Sequence, residues 1–304
     1  MKNLALLAVF CGSLSVVTFA QEETKQDLQR DFYVKTASTV NVLIDCPLGE
    51  LRVNTKQQGP MAVLDLKNSL TNFDYKISYR EEGGVGDLNV GGSGEISHSH
   101  DIESFSDFKK LLGLGNSISD DNRWVVTLKE SGDLLYNLDL NMGLGDADVD
   151  LGALKMSQLG FNCGLSDATL SITQPNPVHM ELMKVDNGMG SFEGKTLGNA
   201  NFKELKVSVG MGSATLDLRG EYTRDAHVKA DVGMGSFKMI VPKNLDIAVT
   251  VNSSPFSSIN LMGLVQESKT RYRSPNFGSN DHQLTFDISV GMGSVDLEIV
   301  EPGE

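Results

Sequence analysis

Residues 205–218 read LKVSVGMGSATLDL, and the architecture of the chain follows from this stretch. Apolar and polar residues alternate on both sides of a Gly-Met-Gly-Ser corner, which predicts two β-strands that each bury one face. The same tetrapeptide begins at Gly188, Gly210, Gly233 and Gly291, and looser copies begin at Gly143 and Gly164. The five starts from Gly143 to Gly233 lie 21, 24, 22 and 23 residues apart. A period of about 22 residues is typical of a solenoid whose units are too small to fold alone.

Every copy has the same apolar phase around its corner, so equivalent strands can stack in parallel about 4.8 Å apart. We therefore predict an all-β fold, a parallel β-helix or β-solenoid with coils of about 22 residues and Gly-Met-Gly corners. Antiparallel hairpins around glycine turns are the alternative, but they do not require the same apolar column in each unit. The corner methionines are expected to fill the corner of the core, and a metal or cofactor site is the alternative interpretation.

The chain divides into five segments. Residues 1–20 have the pattern of a signal peptide: Lys2, a short apolar run and a small residue before the expected cleavage between Ala20 and Gln21. A flexible lead-in is predicted over 21–33, and a less regular N-terminal β region over 34–136 with a polar loop at 91–123. The solenoid is predicted over 137–300 with an insertion at 262–283. The polar tail 301–304 is expected to cover the open edge of the last coil.

Composition and charge narrow the classes of protein. The net charge is −14, which argues against nucleic acid or an anionic membrane as partner. No transmembrane segment is predicted after signal cleavage, so we expect an exported protein, periplasmic or extracellular on the bacterial cell surface. Cys46 and Cys163 remain after cleavage, and both fall in the inward apolar column. Buried thiols are favoured there, although a single disulfide stays possible.

Three clusters are candidate sites. The first is a basic and aromatic stretch in the insertion, formed by Lys269, Arg271, Tyr272, Arg273 and Phe277. It suits a docking loop for an anionic partner. The alternative is a solvated loop that folds back over the last coil. Carboxylates could hold calcium, but they diverge from the calcium nonapeptide motif; these are Asp146, Asp148, Asp150 and Asp167. His98, His100 and Asp101 could bind a transition metal, although exposed polar side chains are the simpler interpretation.

The motifs CPLGELRV at 46–53, RWVVTL at 123–128 and LDLNMGLGDADVDLGAL at 138–154, with the later Gly-Met-Gly-Ser copies, resemble those of a bacterial family called toast-rack. The resemblance spans about Val34 to Val300. It extends to the C-terminal domain of cell-wall-active antibiotic response (LiaF-like) proteins and to adhesin-type solenoid repeats. It implies an exported or membrane-attached envelope protein, and no catalytic residues that could be transferred to this chain.

A non-enzymatic structural or interaction protein of the bacterial cell envelope is therefore expected, adhesin-like or binding an envelope protein or a surface glycan, with no cofactor and no metal. The resemblance also implies an alternative, a LiaF-like regulator of envelope stress. An enzyme acting on polysaccharide is a further alternative. It needs an acid and base pair on one face, and the acids near Gly143 lie several coils from Lys238.

Overall fold

The computed structural model describes residues 27–68, 73–93, 122–130 and 132–301. Within them lie twenty β-strands and one short 3-10 helix, Leu197–Ala200. The strands are β1 Leu28–Phe32, β2 Thr39–Lys56, β3 Ala62–Lys67, β4 Asp74–Glu82, β5 Val85–Ser93, β6 Arg123–Lys129, β7 Leu135–Asp150, β8 Met156–Ser171, β9 Met180–Met189, β10 Ser191–Lys195, β11 Phe202–Val209, β12 Ser213–Asp217, β13 Ala226–Val232, β14 Ser236–Pro242, β15 Asp246–Ser253, β16 Ser258–Leu261, β17 Val265–Gln266, β18 Arg271–Arg273, β19 Gln283–Val290 and β20 Ser294–Val300.

The fold is a β-solenoid, as the repeat predicts. Neighbouring coils pair in parallel, with β2, β7 and β8 running unbroken through the corner and later coils split into two strands there. The inward column before the corner is buried in every coil and lines up in register. Its members are Val90, Ile44, Leu140, Phe161, Val185, Val207, Ala230, Ile288 and Val251.

The spatial order of the coils differs from their order in the chain at both ends. One side of β2 pairs with β7. On its other side, the first part of β2 pairs with β5 and the last part pairs with β6. At the other end, β19 lies between β13 and β15, and β20 lies between β14 and β16. The expectation that the coil at 284–300 ends the solenoid was therefore wrong. The terminal coil is the one formed by β15 and β16.

Antiparallel strands cover part of each end. At the N-terminal end, β4 pairs with β5, β3 pairs with β6, and β1 pairs with β3. At the C-terminal end, β18 pairs with β15, and β17 pairs with β18. We call these two groups of strands the N-terminal cap (β1, β3 and β4) and the C-terminal cap (β17 and β18). The caps matter because an uncovered strand edge is a template for pairing with another chain.

The corner glycines allow adjacent coils to stack. A Cβ atom on Gly212 would lie 2.2 Å from the carbonyl oxygen of Gly190 in the coil beneath. Gly190 itself has φ of +120°, a conformation that side chains other than hydrogen disfavour. The backbone of one corner thus rests directly on the backbone of the next, and no side chain fits between them.

Candidate binding surfaces

The corner methionines lie on the outside of the solenoid. Met189, Met211, Met234 and Met292 have 41%, 57%, 54% and 60% of their surface exposed. The prediction that they fill the core was wrong, although they do line up from coil to coil. The amide of Met211 donates to Gly188 O, and Met234 and Met292 donate in the same way to the corner of the coil beneath. We call these four residues the methionine ladder.

The reason for the outward position is a change of phase at the corner. Val209 and Ala214 are both buried, yet they are five residues apart. Strict alternation would bury residues an even number apart, so the corner shifts the pattern by one residue. At the apex of this convex bend, the side chain of Met211 points away from the core that its flanking strands enclose.

The same corner position changes residue type along the solenoid. Leu48, Leu144, Leu165 and Met189 are paired in register in four successive coils. Leu48 is buried, Leu144 and Leu165 are half-buried, and the four following residues of the ladder are exposed methionines. Leucine therefore occupies buried and half-buried positions, methionine occupies four exposed ones, and Phe256 occupies the exposed position of the terminal coil.

A groove of about 600 Å³ runs along this corner. Met211, Met234 and Met292 line it together with the corner glycines, and Phe256 of the terminal coil, with 78% of its surface exposed, lies at one end. The hydroxyl-bearing residues that follow the corner are in register and complete the lining: Ser213, Ser236, Ser294 and Ser258. The groove is thus apolar and sulfur-rich on one side and carries only hydroxyl groups on the other.

The basic and aromatic stretch predicted from the sequence forms the C-terminal cap and the loop after it. Arg271, Tyr272 and Arg273 make up β18, whereas Lys269 and Phe277 flank it. The guanidinium carbon of Arg273 lies 4.6 Å from the centre of the Phe277 ring, and Arg273 Nη1 lies 3.2 Å from Glu267 Oε1. Tyr272 is half-buried against the core, and its hydroxyl accepts a hydrogen bond from Gln266 Nε2 at 3.2 Å.

The remaining two cations of this stretch have a different environment. Lys269 and Arg271 are exposed, and neither makes an ion pair among the described residues. The structure therefore brings Arg273 and Phe277 together as part of the cap and leaves Lys269 and Arg271 available on its surface. We call Lys269, Arg271, Tyr272, Arg273 and Phe277 the basic hairpin surface.

Asp246 holds the loop that follows β18. Its carboxylate accepts hydrogen bonds from the amide of Gly278 at 2.6 Å and from Asn280 Nδ2 at 2.9 Å. Burial raises the pKa of Asp246, but these hydrogen bonds and those from the amides of Asn280 and Ser279 outweigh it, so the pKa lies below its ordinary value. The charged form therefore fastens the loop containing Phe277 to the first residue of β15.

The outward ladders lie as the repeat predicts, and they are mixed in charge. Asp148, Thr169, Glu193, Thr215 and Lys238 are in register across five coils. Among the carboxylates considered for calcium, Asp146 is in register with Asp167 on the neighbouring strand. The carboxylate of Asp167 accepts hydrogen bonds from the amide and hydroxyl of Ser191 at 2.9 and 2.6 Å. Among the described residues, no group of three or more histidine, cysteine, aspartate or glutamate side chains has metal-binding geometry.

A polar cleft on the strands before the corner was missed by the sequence analysis. It has a volume of about 370 Å³ and follows a ladder of hydrogen-bonded side chains: Asn41 Nδ2 donates to Asp87 Oδ1 at 2.7 Å, and Asn137 Nδ2 donates to Asn41 Oδ1 at 2.8 Å. Gly160 leaves the floor of the cleft open beside Asp139. The sequence signal that could have indicated this cleft is Gly160, a glycine among the outward polar positions that include Asn41 and Asn137.

Cys46 and Cys163 are buried free thiols. Cys46 is in register with Met142, and Met142 is in register with Cys163, so the two cysteines lie two coils apart, about 10 Å. This separation exceeds the reach of a disulfide. Burial raises the pKa of each thiol to about 12, which makes both unreactive near neutral pH.

Several predictions lie outside the described residues. They are the signal peptide 1–20, residues 21–26 of the lead-in, most of the loop 91–123 with His98, His100 and Asp101, and most of the tail 301–304. The prediction of a flexible lead-in was wrong for residues 28–32, because they form β1 and pair with β3. Within the described part of the chain, no helix reaches the length and apolarity that crossing a bilayer requires.

The fold and its exposed surfaces define a class, a β-solenoid scaffold with a groove along its corner and exposed cations on its C-terminal cap. The model of the N-terminal domain of toast_rack (DUF2154) matches residues 18–195, which is more than half of the chain. The protein therefore belongs to the toast-rack family, as the motifs suggested. No match was found among curated proteins.

Two solved structures are similar in sequence and fold to a limited degree. One, from Clostridium sporogenes, is described as a "putative cell adhesion protein"; it is 16% identical with a TM-score of 0.46, covering 91% of this chain and 100% of that one. The other, from Bacteroides fragilis, is described as a "putative adhesin"; it is 14% identical with a TM-score of 0.37, covering 91% and 99%.

Proposed function

We propose that this protein is an exported, non-enzymatic binding protein of the bacterial cell envelope, and that the basic hairpin surface contacts its partner. The observation that carries the proposal is the pair Lys269 and Arg271, two exposed cations that form no ion pair with any described residue, at one end of a protein of charge −14. Membership of the toast-rack family and the stacked scaffold support a binding role, since loops on a rigid scaffold often carry recognition.

The local charge indicates the chemistry of the partner. Arg273 contacts Glu267 and Phe277, so its charge is already partnered within the hairpin. Lys269 and Arg271 then offer donors for carboxylate, sulfate or phosphate groups, whereas the acidic remainder of the surface repels them. An anionic surface glycan or an acidic segment of an envelope protein fits this distribution.

Affinity capture tests the proposal. The mature protein, crosslinked in its own cells, is compared with a variant carrying Lys269→Ala and Arg271→Ala. We expect the variant to lose the captured partner, because both substitutions remove exposed cations that make no ion pair within the described structure. Arg273 is retained because its loss would disturb the cap.

A matched control removes the same charge at the opposite end. Lys76 and Arg80 are exposed on β4 of the N-terminal cap, and the variant Lys76→Ala with Arg80→Ala should capture the partner as the parent does. Equal capture by all three proteins would refute the hairpin as the contact surface. Release of reducing sugars from an acidic glycan by the purified protein would refute the non-enzymatic role.

A further inference from the structure

The methionine ladder places one thioether at the same exposed position in each of four consecutive coils. The serines two residues after each methionine are paired in register, Ser191 with Ser213, Ser213 with Ser236, and Ser236 with Ser294. Each of the three upper methionines also donates its amide to a corner carbonyl of the coil beneath, at 2.9 Å. The backbone thus fixes the spacing of the ladder at the distance between coils, about 4.8 Å.

This spacing suits a metal ion that bridges two sulfur atoms. A metal–sulfur bond is about 2.3 Å long, as in zinc–thiolate sites, so a bridging ion holds its two sulfurs up to about 4.6 Å apart. Methionine has three rotatable side-chain bonds, which lets neighbouring thioethers turn toward a shared ion. Four thioethers in line provide more than one such pair.

The surroundings select a soft ion. Thioethers are uncharged, soft donors that favour Cu(I) over hard divalent cations. The residues beside each methionine are glycines, which cannot bear a side chain because a Cβ on Gly210 would lie 2.7 Å from Gly188 O. The serines that follow Met211, Met234 and Met292 offer only hydroxyl groups, and no carboxylate or imidazole among the described residues lines this groove. Beside Met189, which lies outside the groove, the hydroxyl of Ser191 is bonded to Asp167. The packing that requires glycine therefore also leaves the sulfur atoms uncovered.

The change from leucine to methionine points to sulfur rather than to apolar character. Leu48, Leu144 and Leu165 occupy this corner position where it is covered, and leucine would present a similar apolar surface in the exposed coils. Four successive exposed corners carry a thioether instead, and the terminal coil carries Phe256 at this position. We propose that Met189, Met211, Met234 and Met292 form a binding site for soft monovalent metal ions, Cu(I) or its analogue Ag(I).

Titration with Ag(I), followed by NMR of 13C-methyl methionine, tests the site in the mature protein. We expect the methyl signals of the ladder to shift. Met142, Met156, Met180, Met183 and Met239 are buried and serve as internal controls. Met262 is 54% exposed but lies at the other end of β16, beside Leu297, so it controls for accessibility alone.

The variant Met211→Leu with Met234→Leu removes the two central donors and keeps their apolar bulk. It should bind Ag(I) at least about tenfold more weakly, and the same should hold for Cu(I) supplied under reducing, oxygen-free conditions. Met262→Leu is the matched control and should bind as the parent does. Ladder signals that do not move with Ag(I), a Met262 signal that shifts as strongly, or unchanged binding by the double variant would each overturn the proposal. If the double variant does not fold, the NMR titration of the parent protein with Ag(I) still tests the proposal.

Discussion

The two caps of the solenoid cover similar strand edges with different chemistry. In the N-terminal cap, Leu64 and Leu66 of β3 are fully buried, and Phe73, Tyr75 and Trp124 meet edge to face with ring centres 5.2 to 6.1 Å apart. In the C-terminal cap, Val265 is 54% exposed and both arginines of β18 are exposed. The first cap extends the hydrophobic core, whereas the second is a polar cover, and a solenoid can evidently be closed in either way.

The largest expected effect contrasts one apolar residue from each cap. Leu64→Ala removes a fully buried side chain and should lower the free energy of unfolding by about 2–5 kcal/mol. Val265→Ala shortens an exposed side chain and should change it by no more than about 0.5 kcal/mol. Denaturant unfolding of both variants measures the difference. Equal losses would mean that the caps contribute alike and that the comparison is wrong.

A smaller effect concerns the acid sensitivity of the N-terminal cap. Glu81 accepts hydrogen bonds from the amides of Lys35 and Thr36, both at 2.8 Å, and these, with the hydroxyls of Tyr79 and Thr36, lower its pKa to about 2. In the unfolded chain the pKa is about 4.3. Because the folded pKa is the lower one, the stabilisation is complete above about pH 4.3 and is lost as the pH falls toward about 2.

Unfolding free energies measured across this pH range check the effect of Glu81. The parent should lose stability through the window, and Glu81→Gln should lack that component. Glu82→Gln, at the neighbouring exposed position, is the control and should follow the parent. A Glu81→Gln variant with the parent's full pH dependence would show that this carboxylate does not fasten the cap.

The smallest expected effect lies in the C-terminal cap. Arg273→Ala removes a half-exposed ion pair with Glu267 and the contact with Phe277, which together should stabilise the protein by about 1 kcal/mol or less. Thermal unfolding at low and high salt measures this, and Glu267→Gln should reproduce the ionic part. If Arg273→Ala lowered the stability of the protein as much as Leu64→Ala does, the two caps would contribute alike and the comparison would be wrong.

The repeat in the sequence was enough to predict the coils. The period of the corners and the apolar phase around them predicted the parallel stacking and the inward columns. The burial of Cys46 and Cys163 was predicted from the same columns. These features depend only on the local sequence pattern, and they could therefore be predicted from the sequence alone.

The order of the coils and the direction of the methionines could not be read in the same way. Every coil offers the same apolar face, so nothing in β15 indicates that its neighbour is β19 rather than β13. The methionine error has a different cause. The odd spacing from Val209 to Ala214 recurs in the other units and indicates the change of phase, whereas the alternation on each side of the corner, taken alone, places the methionine inside. The basic hairpin surface remains a prediction until a partner is captured.

The placement of the final coil has a consequence for biogenesis. β19 and β20 are synthesised after β13 to β16, and yet they lie between those earlier strands in the stack. Among the described strands, the parallel neighbours of the segment 246–261 are β19 and β20, so its parallel pairing waits until synthesis has passed residue 300. Parallel pairing at this end is thus a late step of synthesis, and a fragment stopping before Gln283 would leave β15 and β16 without their parallel partners β19 and β20.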